Sequence, residues 1–189
     1  PVGAATAQDG VTIDGEPCTD GVGVTVVVDF QELGDDTVVV RCATEAPADV
    51  FAALDAAGVP YRTTITFPGF LCRLFEEPAD DPCATASPAD AYWSYWLAPA
   101  GGEWCYSNKG AGSRTPPPGS VEGWSFSLDR TSEDVPPPRV APPSPPEGTE
   151  AAPLADSDCG AGPVAGVGQT PAGIGAAAPE GTTAGEGPS

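Results

Sequence analysis

"GVTVVVDFQELGDDTVVVRCATEAPADVFAALDAAG" occupies residues 23–58 and decides the fold of this chain. Its two β-branched runs, residues 23–30 and 35–42, are separated by "QELG" and predict two strands joined in a hairpin. The following residues, 46–58, predict a helix that ends at Gly58 and Pro60. Pro47 suits its first turn, and one apolar stripe contains Val50, Phe51, Leu54 and Ala57. The stretch therefore predicts a short amphipathic helix packed on a sheet.

The remaining strands follow from alternation and turn residues. "YRTTITF" (61–67) places Tyr61, Thr63, Ile65 and Phe67 on one side, and a Pro68-Gly69 turn leads to "FLCRLF" (70–75). "AYWSYWL" (91–97) and "EWCYS" (103–107) flank "APAGG" as another hairpin, and "SVEGWSF" (120–126) is the final strand. This order predicts an α+β domain with a mainly antiparallel sheet and one helix covering one face.

Composition limits the class of partner. The 189 residues carry a net charge of −20, no histidine and a single lysine, Lys109. Without a basic patch, the chain is not expected to bind nucleic acid or an anionic membrane surface. No apolar run approaches 18 residues, so direct membrane insertion by these residues is not expected either.

The six cysteines form an even set without a CxxC pair, which predicts disulfides rather than a zinc site. We predict Cys72–Cys83 closing an acidic loop, Cys18–Cys42 joining the ends of the first hairpin, and Cys105–Cys159 by elimination. Disulfides predict an extracytoplasmic location, secreted or tethered to the cell surface. "PVGAATAQDG" resembles the residues that follow a cleaved secretory signal.

The chain changes character near residue 131. The last aromatic residue is Phe126, and residues 131–189 are rich in Pro, Gly and Ala, a composition typical of a disordered linker or tail. "VPPPRVAPPSPP" (135–146) should be semi-rigid and the remainder a loose coil. The sequence thus divides into a short N-terminal segment (1–17), a domain (18–130) and a solvated tail (131–189). If Cys159 is bonded to Cys105, the stretch before it is a loop instead of a free arm.

Catalytic chemistry has few candidates. Histidine is absent, and no Gly-rich phosphate loop follows a strand. The acids Glu76, Glu77, Asp80 and Asp81 lie in a predicted loop, where solvation, calcium binding or a carboxylate pair are the alternatives. We therefore predict no enzyme and no required cofactor or resident metal.

An aromatic cluster in residues 91–110 is the best candidate for a binding site. On a strand, Tyr92, Ser94 and Trp96 face one way, and Trp93, Tyr95 and Leu97 the other. One helix covers one face of a sheet, so one set of rings is expected to lack a cover, and an uncovered apolar patch marks an interaction site. The alternative is that all these rings belong to the core.

Residues 22–127 resemble the β-domain of the transcobalamin and intrinsic factor proteins and its bacterial secreted relatives of unassigned function. The resemblance rests on "GVTVVVDF", "ADVFAALDAAGV", "YWSYW" and "GAGSRTPPPGSVEGWSF", in that order. It implies a β-grasp-like fold and a corrinoid, such as cobalamin, or another flat cofactor as ligand. Such a ligand would lie against the residues Tyr92, Trp93, Tyr95, Trp96, Trp104, Tyr106, Gly112 and Ser113.

We expect no helical-barrel domain within these 189 residues to form the second wall, and they contain no histidine to serve as a cobalt ligand. Corrinoid binding would rest on shape, stacking and hydrogen bonds. Two hypotheses follow from the sequence. In the first, the chain is a module that captures a ligand such as a corrinoid and presents it to a transporter or partner. In the second, it docks a second envelope protein through its aromatic face.

Overall fold

The structure is a computed structural model and describes residues 6–8, 10–34, 36–131 and 134–160. Most of its regular structure is sheet, with one α-helix. The strands are β1 Thr6–Gln8, β2 Val11–Gly15, β3 Val24–Asp29, β4 Thr37–Ala43, β5 Tyr61–Thr63, β6 Leu71–Leu74, β7 Ala91–Pro99, β8 Cys105–Tyr106 and β9 Ser120–Leu128. The helix is α1, Val50–Ala56.

Seven strands form one mixed sheet in the order β1-β2-β4-β3-β9-β7-β8. The predicted hairpin is present, since β3 and β4 pair antiparallel. The last strand, β9, pairs antiparallel with β7 but parallel with β3, and β2 pairs parallel with β4. The prediction of a mainly antiparallel sheet missed these two parallel pairs, because a parallel pairing depends on which distant strand fills the central position and leaves no local turn signal.

The helix side of the sheet holds the larger part of the core. Val26, Val28, Trp124 and Phe126 from β3 and β9 are buried against α1, whose Leu54 is fully buried. Asp49 caps the helix by accepting a hydrogen bond from the Ala52 N–H at 2.9 Å. Pro47 precedes this cap, so the helix begins later than its sequence pattern predicts.

The β5–β6 pair forms a second, small sheet. Its first strand ends at Thr63, and the predicted alternation through Ile65 and Phe67 is wrong. Both side chains are exposed, at 79% for Ile65 and 46% for Phe67. The chain leaves the strand because Thr64 turns inward and is 1% exposed, and its hydroxyl donates to the Phe67 carbonyl at 2.8 Å.

The second face of the sheet is covered by chain rather than by helix. Residues 134–160 contain no helix and no strand, as their composition predicts, but they do not extend into solvent. Val135 and Val140 are buried at 7% and 4% exposure, and Val140 packs in a cluster with Val27, Val40 and Val121. The packed unit therefore extends beyond the predicted boundary at residue 130, to residue 160. The expected loose coil at 161–189 lies outside the described residues.

The N-terminal residues also belong to the sheet. β1 and β2 pair antiparallel at its edge, and Val11 is buried at 6% exposure. The division at residue 17 thus separates strands of one sheet.

Candidate functional site

The candidate ligand-binding residues do not form one surface. Trp93 and Tyr95 lie on the helix side and are each 2% exposed. The Tyr95 ring stacks on Trp124 with centroids 4.7 Å apart, and Trp93 meets Phe126 edge-on at 5.4 Å. These rings are core, because a ligand could reach them only by displacing the helix layer.

The other four rings lie on the second face or its edge. Trp96 is buried at 7% exposure, and its indole N–H donates to the Ser94 hydroxyl at 2.8 Å. Tyr92, Trp104 and Tyr106 are partly buried. Burial raises the pKa of Tyr92 and of Tyr106, and the two hydroxyls are hydrogen-bonded to each other. The alternation predicted for this strand is confirmed, whereas the expectation that one aromatic face lacks a cover is wrong.

Gly112 and Ser113 lie elsewhere again. They belong to a 3-10 turn, Ala111–Ser113, and are exposed. A Cβ at Gly112 would stand 3.4 Å from the Phe51 ring of the helix. The turn is thus on the helix side, opposite Tyr92 and Trp96, and the set inferred from the resemblance is divided between two sides of the sheet.

A salt bridge fastens the cover to the second face. Asp29, fully buried at the end of β3, accepts the backbone N–H of Arg139 at 2.6 Å and its Nη2 at 2.9 Å. Gln31 supports the same carboxylate through its backbone N–H at 3.0 Å and its side-chain amide at 3.1 Å. A buried carboxylate is stable in such a site because it is both paired and hydrogen-bonded.

A second buried ionic cluster lies on the helix side, and sequence reasoning did not find it. Glu122, fully buried on β9, accepts the Tyr95 hydroxyl and lies 3.3 Å from Nη2 of Arg114, which is also buried. Arg114 reaches Asp158 at 3.8 Å, and Lys109 bonds the same carboxylate at 2.5 Å. The acid at position 122 was a signal, since it is the one charged residue in the strand β9.

The two carboxyl groups of this cluster have opposite pKa shifts. Burial raises the pKa of Glu122 above its ordinary 4.5, against the opposing effects of Arg114 and Tyr95. Burial also opposes ionisation of Asp158, but hydrogen bonding to Lys109 and the charges of Arg114 and Lys109 together lower its pKa. Glu122 and Arg114 are closed to solvent and Lys109 is partly exposed, so the arrangement is that of a structural clamp between β9 and the covering chain.

The three disulfides have the predicted pairing: Cys18–Cys42, Cys72–Cys83 and Cys105–Cys159. Three such bonds are typical of an oxidising, extracytoplasmic environment. Cys105–Cys159 closes the longest loop, with a sequence separation of 54, and holds the end of the cover beside β8. Among the described residues, no helix has the length and apolar character needed to cross a membrane.

Carboxylates of the acidic loop are engaged by groups within the loop and on the neighbouring strand β5. Asp81 accepts the Cys83 N–H at 2.8 Å and the Ser87 hydroxyl at 3.2 Å. Glu76 pairs with Arg62 at 3.0 Å. Within the described ranges, three candidate metal ligands converge only at Cys72, Asp81 and Cys83, and both sulfurs there are bonded to each other. A disulfide offers no thiolate to a metal ion.

Two exposed large apolar side chains, Ile65 and Phe67, lie in what we call the apolar loop, residues 64–70. Ile65 and Phe67 extend from a backbone that is fixed on both sides. The Ile65 and Thr66 N–H groups donate to the carbonyls of Cys83 and Ala84 at 2.8 and 3.1 Å, and Thr64 N–H donates to Phe70 at 2.9 Å. The Cys72–Cys83 bond adjoins these contacts. The loop therefore presents apolar side chains in a fixed arrangement.

Comparison with known proteins gives one match. Residues 85–153 are similar to a family described as the SCO2322-like domain, over less than half of the chain. No curated protein and no solved structure matches. The matched range contains β7, β8 and β9 together with most of the covering chain. Strands and cover thus fall within one recognised sequence unit, in agreement with their packing.

Proposed function

We propose that this chain is a secreted or surface-tethered interaction module, without catalytic activity, that docks a partner protein through the apolar loop. The observation that carries this proposal is the exposure of Ile65, at 79%, on a backbone held by hydrogen bonds and a disulfide. Exposed apolar side chains on a rigid support bind with little loss of conformational entropy. Aromatic residues such as Phe67 are enriched at the cores of protein interfaces.

The charges around the apolar loop indicate the chemistry of this partner. The neighbouring cations Arg62 and Arg73 both pair with Glu76, while Asp80 is exposed. With a net charge of −20, the chain is repelled by anionic lipid. A protein with an apolar pocket and a neutral or basic rim fits the loop better than a membrane surface does.

Photo-crosslinking in the producing organism tests this proposal. A benzophenone amino acid replaces Phe67 in one version of the full chain and Val22, 54% exposed, in a matched control. We expect one discrete adduct from position 67 that is absent from position 22 and is lost when Ile65→Ser is added. Identical adducts from both positions, or an adduct insensitive to Ile65→Ser, would contradict docking through the loop.

The fold resembles a β-grasp, and we propose that assignment for the central strands. The order β4-β3-β9-β7 joins an N-terminal hairpin, a covering helix and a last strand parallel to the first. This arrangement supports the resemblance to the transcobalamin β-domain at the level of topology. A solved structure superimposed on these four strands and α1 would test it.

Corrinoid capture is a second proposal, and the partial exposure of Tyr92, Trp104 and Tyr106 at the β7–β8 edge favours it. Rings of this kind can stack on a flat ligand. Trp93 and Tyr95 cannot take part while the core is intact. Cobalamin and cobinamide should quench tryptophan emission saturably, and Trp104→Phe should weaken the effect. No saturation up to about 1 mM, the limit of weak binding near −4 kcal/mol, would contradict unaided capture.

A further inference from the structure

The covering chain contacts the second face with a period of three residues. We define residues 135–146, "VPPPRVAPPSPP", as the Pro-rich segment. Its carbonyls at Pro137, Val140 and Pro143 accept hydrogen bonds at 3.2, 2.8 and 2.7 Å. The respective donors are the Gln31 amide, the Trp104 indole and the Gly101 backbone N–H.

This spacing is that of a polyproline II helix. Such a helix has three residues per turn and no internal hydrogen bonds, so every third carbonyl faces the same side and is free to accept. The segments that adjoin the strands supply a donor at each turn: Gln31 follows β3, and Gly101 and Trp104 lie between β7 and β8. Proline-rich ligands dock in aromatic-lined grooves, and Trp104 contributes such an aromatic side chain here.

The groove is shaped for a close approach. A Cβ at Gly123 would lie 2.6 Å from the Trp104 ring and 3.1 Å from the Pro138 ring, so only glycine lets indole and proline both pack on β9. The hydrogen-bonded carbonyls repeat every three residues, whereas burial alternates over residues 137–142: Pro138, Val140 and Pro142 are buried, and Pro137, Arg139 and Ala141 are exposed. The segment therefore presents one side to the sheet and the other to solvent, as a bound ligand does.

Arginine recognition gives the groove its specificity. Asp29 is fully buried and bonds Nε and Nη2 of Arg139 at 2.9 to 3.1 Å, and Asp36 bonds Nη1 at 3.0 Å. A chain without an arginine at this position would leave a buried carboxylate unpaired, which is strongly unfavourable. The groove thus selects a proline-rich chain that carries an arginine.

We propose that the second face is a polyproline-binding groove whose partner is a proline-rich, arginine-containing segment of another protein, and that residues 135–146 occupy the groove as an intramolecular ligand. Charge favours a foreign, basic segment, because two copies of a chain with net charge −20 repel each other. The intramolecular segment competes at an effective concentration of the order of millimolar. This groove is distinct from the apolar loop, so either proposal can fail alone.

A labelled synthetic peptide with the sequence of residues 135–146 tests the groove. The probe is added to the full chain and to the full chain carrying Arg139→Ala, and its anisotropy is measured. We expect the variant to bind the peptide saturably and at least about tenfold more tightly than the wild type, whose groove is filled. The same peptide with Arg139→Ala should bind at least about tenfold more weakly. If the Arg139→Ala variant is folded but does not bind the peptide, the proposal is contradicted.

A cut chain keeps the test decisive if Arg139→Ala does not fold. Protease sites are inserted after Thr131 and at the exposed Glu147-Gly148 turn, which leaves the Pro-rich segment held only by its contacts. We expect excess labelled peptide to exchange with it. If the chain unfolds on cleavage and added peptide does not restore the fold, the segment is part of the core. That result would contradict the proposal of a binding groove. If the wild-type chain forms dimers that the peptide dissociates, the groove binds a second copy of this chain. That result would contradict the proposal of a foreign partner.

Discussion

The guanidinium of Arg139 and the carboxylate of Asp29 form a bidentate pair across 110 residues of sequence, and the Arg139 backbone N–H adds a third bond at 2.6 Å. Asp29 ends β3, the central strand of the seven-stranded sheet, and Arg139 belongs to the Pro-rich segment, which contains no α-helix and no strand. Through this pair the buried sheet determines the course of the proline-rich chain.

Arg139→Ala should lower the free energy of unfolding by about 3 kcal/mol, because it leaves the fully buried Asp29 without its cation. Urea unfolding followed by tryptophan emission measures the change. Arg62→Ala is the matched control: its pair with Glu76 is 58% exposed on both sides and should contribute less than about 1 kcal/mol. Equal losses in the two variants would show that the Asp29 pair does not anchor the cover.

Replacing Cys105 and Cys159 together by serine should destabilise the chain by about 2–4 kcal/mol, because the bond closes a loop with a sequence separation of 54. Replacing Cys72 and Cys83 by serine removes a bond that closes a sequence separation of only 11. By the same chain-entropy argument, this loss of unfolding free energy should be smaller. A chain ending near residue 134 should also lose stability, in contrast to the free tail expected from composition. Thermal melts that match the wild type would contradict the packed cover.

Glu122 should make stability depend on pH in a defined direction. Its folded pKa is raised by burial above the ordinary 4.5, so the native state binds the proton more tightly than the unfolded chain does. The contribution of Glu122 is therefore fully present below about pH 4.5 and is lost as pH rises through its folded pKa. The difference in unfolding free energy between wild type and Glu122→Gln should fall over that range.

Asp158 is the internal control for this measurement, because its pKa is shifted the other way. Its folded pKa lies below 3.8, so its contribution is present above that pH and is lost as pH falls through the folded value. The difference between wild type and Asp158→Asn should shrink toward acid. If both differences followed the same trend with pH, the assigned roles of the two carboxyl groups would be wrong.

Ile65→Ser and Phe67→Ser should each change the free energy of unfolding by less than about 0.5 kcal/mol, since both side chains are exposed. Leu54→Ala, at a fully buried position of α1, should cost about 2–5 kcal/mol in the same assay. A large loss at Ile65 would place that side chain in a core and remove the basis for docking through the apolar loop.

Sequence patterns predicted the local elements well. The β-branched runs form the β3–β4 hairpin, the Leu54 stripe forms a helix on one face, and the cysteines pair as their spacing indicates. The strand containing Trp93 and Tyr95 alternates as predicted. The strands and the helix depend on periodicity over neighbouring residues, whereas the disulfides were predicted from the closure of a loop and a hairpin and, for Cys105–Cys159, by elimination.

The cover and the parallel pairs were not predictable in that way. A polyproline chain has no apolar periodicity, and its contacts are single carbonyls and one arginine, so its composition alone indicates a solvated linker. The available signal in the sequence was Asp29, an acid at the end of an apolar strand. If such a carboxylate is buried, it requires a partner from elsewhere in the chain. With so few cations, Arg139 was among the few residues able to supply it.

Hydrogen exchange of the Trp104 indole N–H tests the closed second face most directly. This proton is donated to the Val140 carbonyl at 2.8 Å, so it reports whether the Pro-rich segment occupies the groove. We predict that NMR of the full chain will show slow exchange, and that Arg139→Ala will accelerate it at least about tenfold while the fully buried Trp124 indole in the core remains protected. Exchange of the Trp104 proton at the rate of a free indole in the wild-type chain would contradict the account.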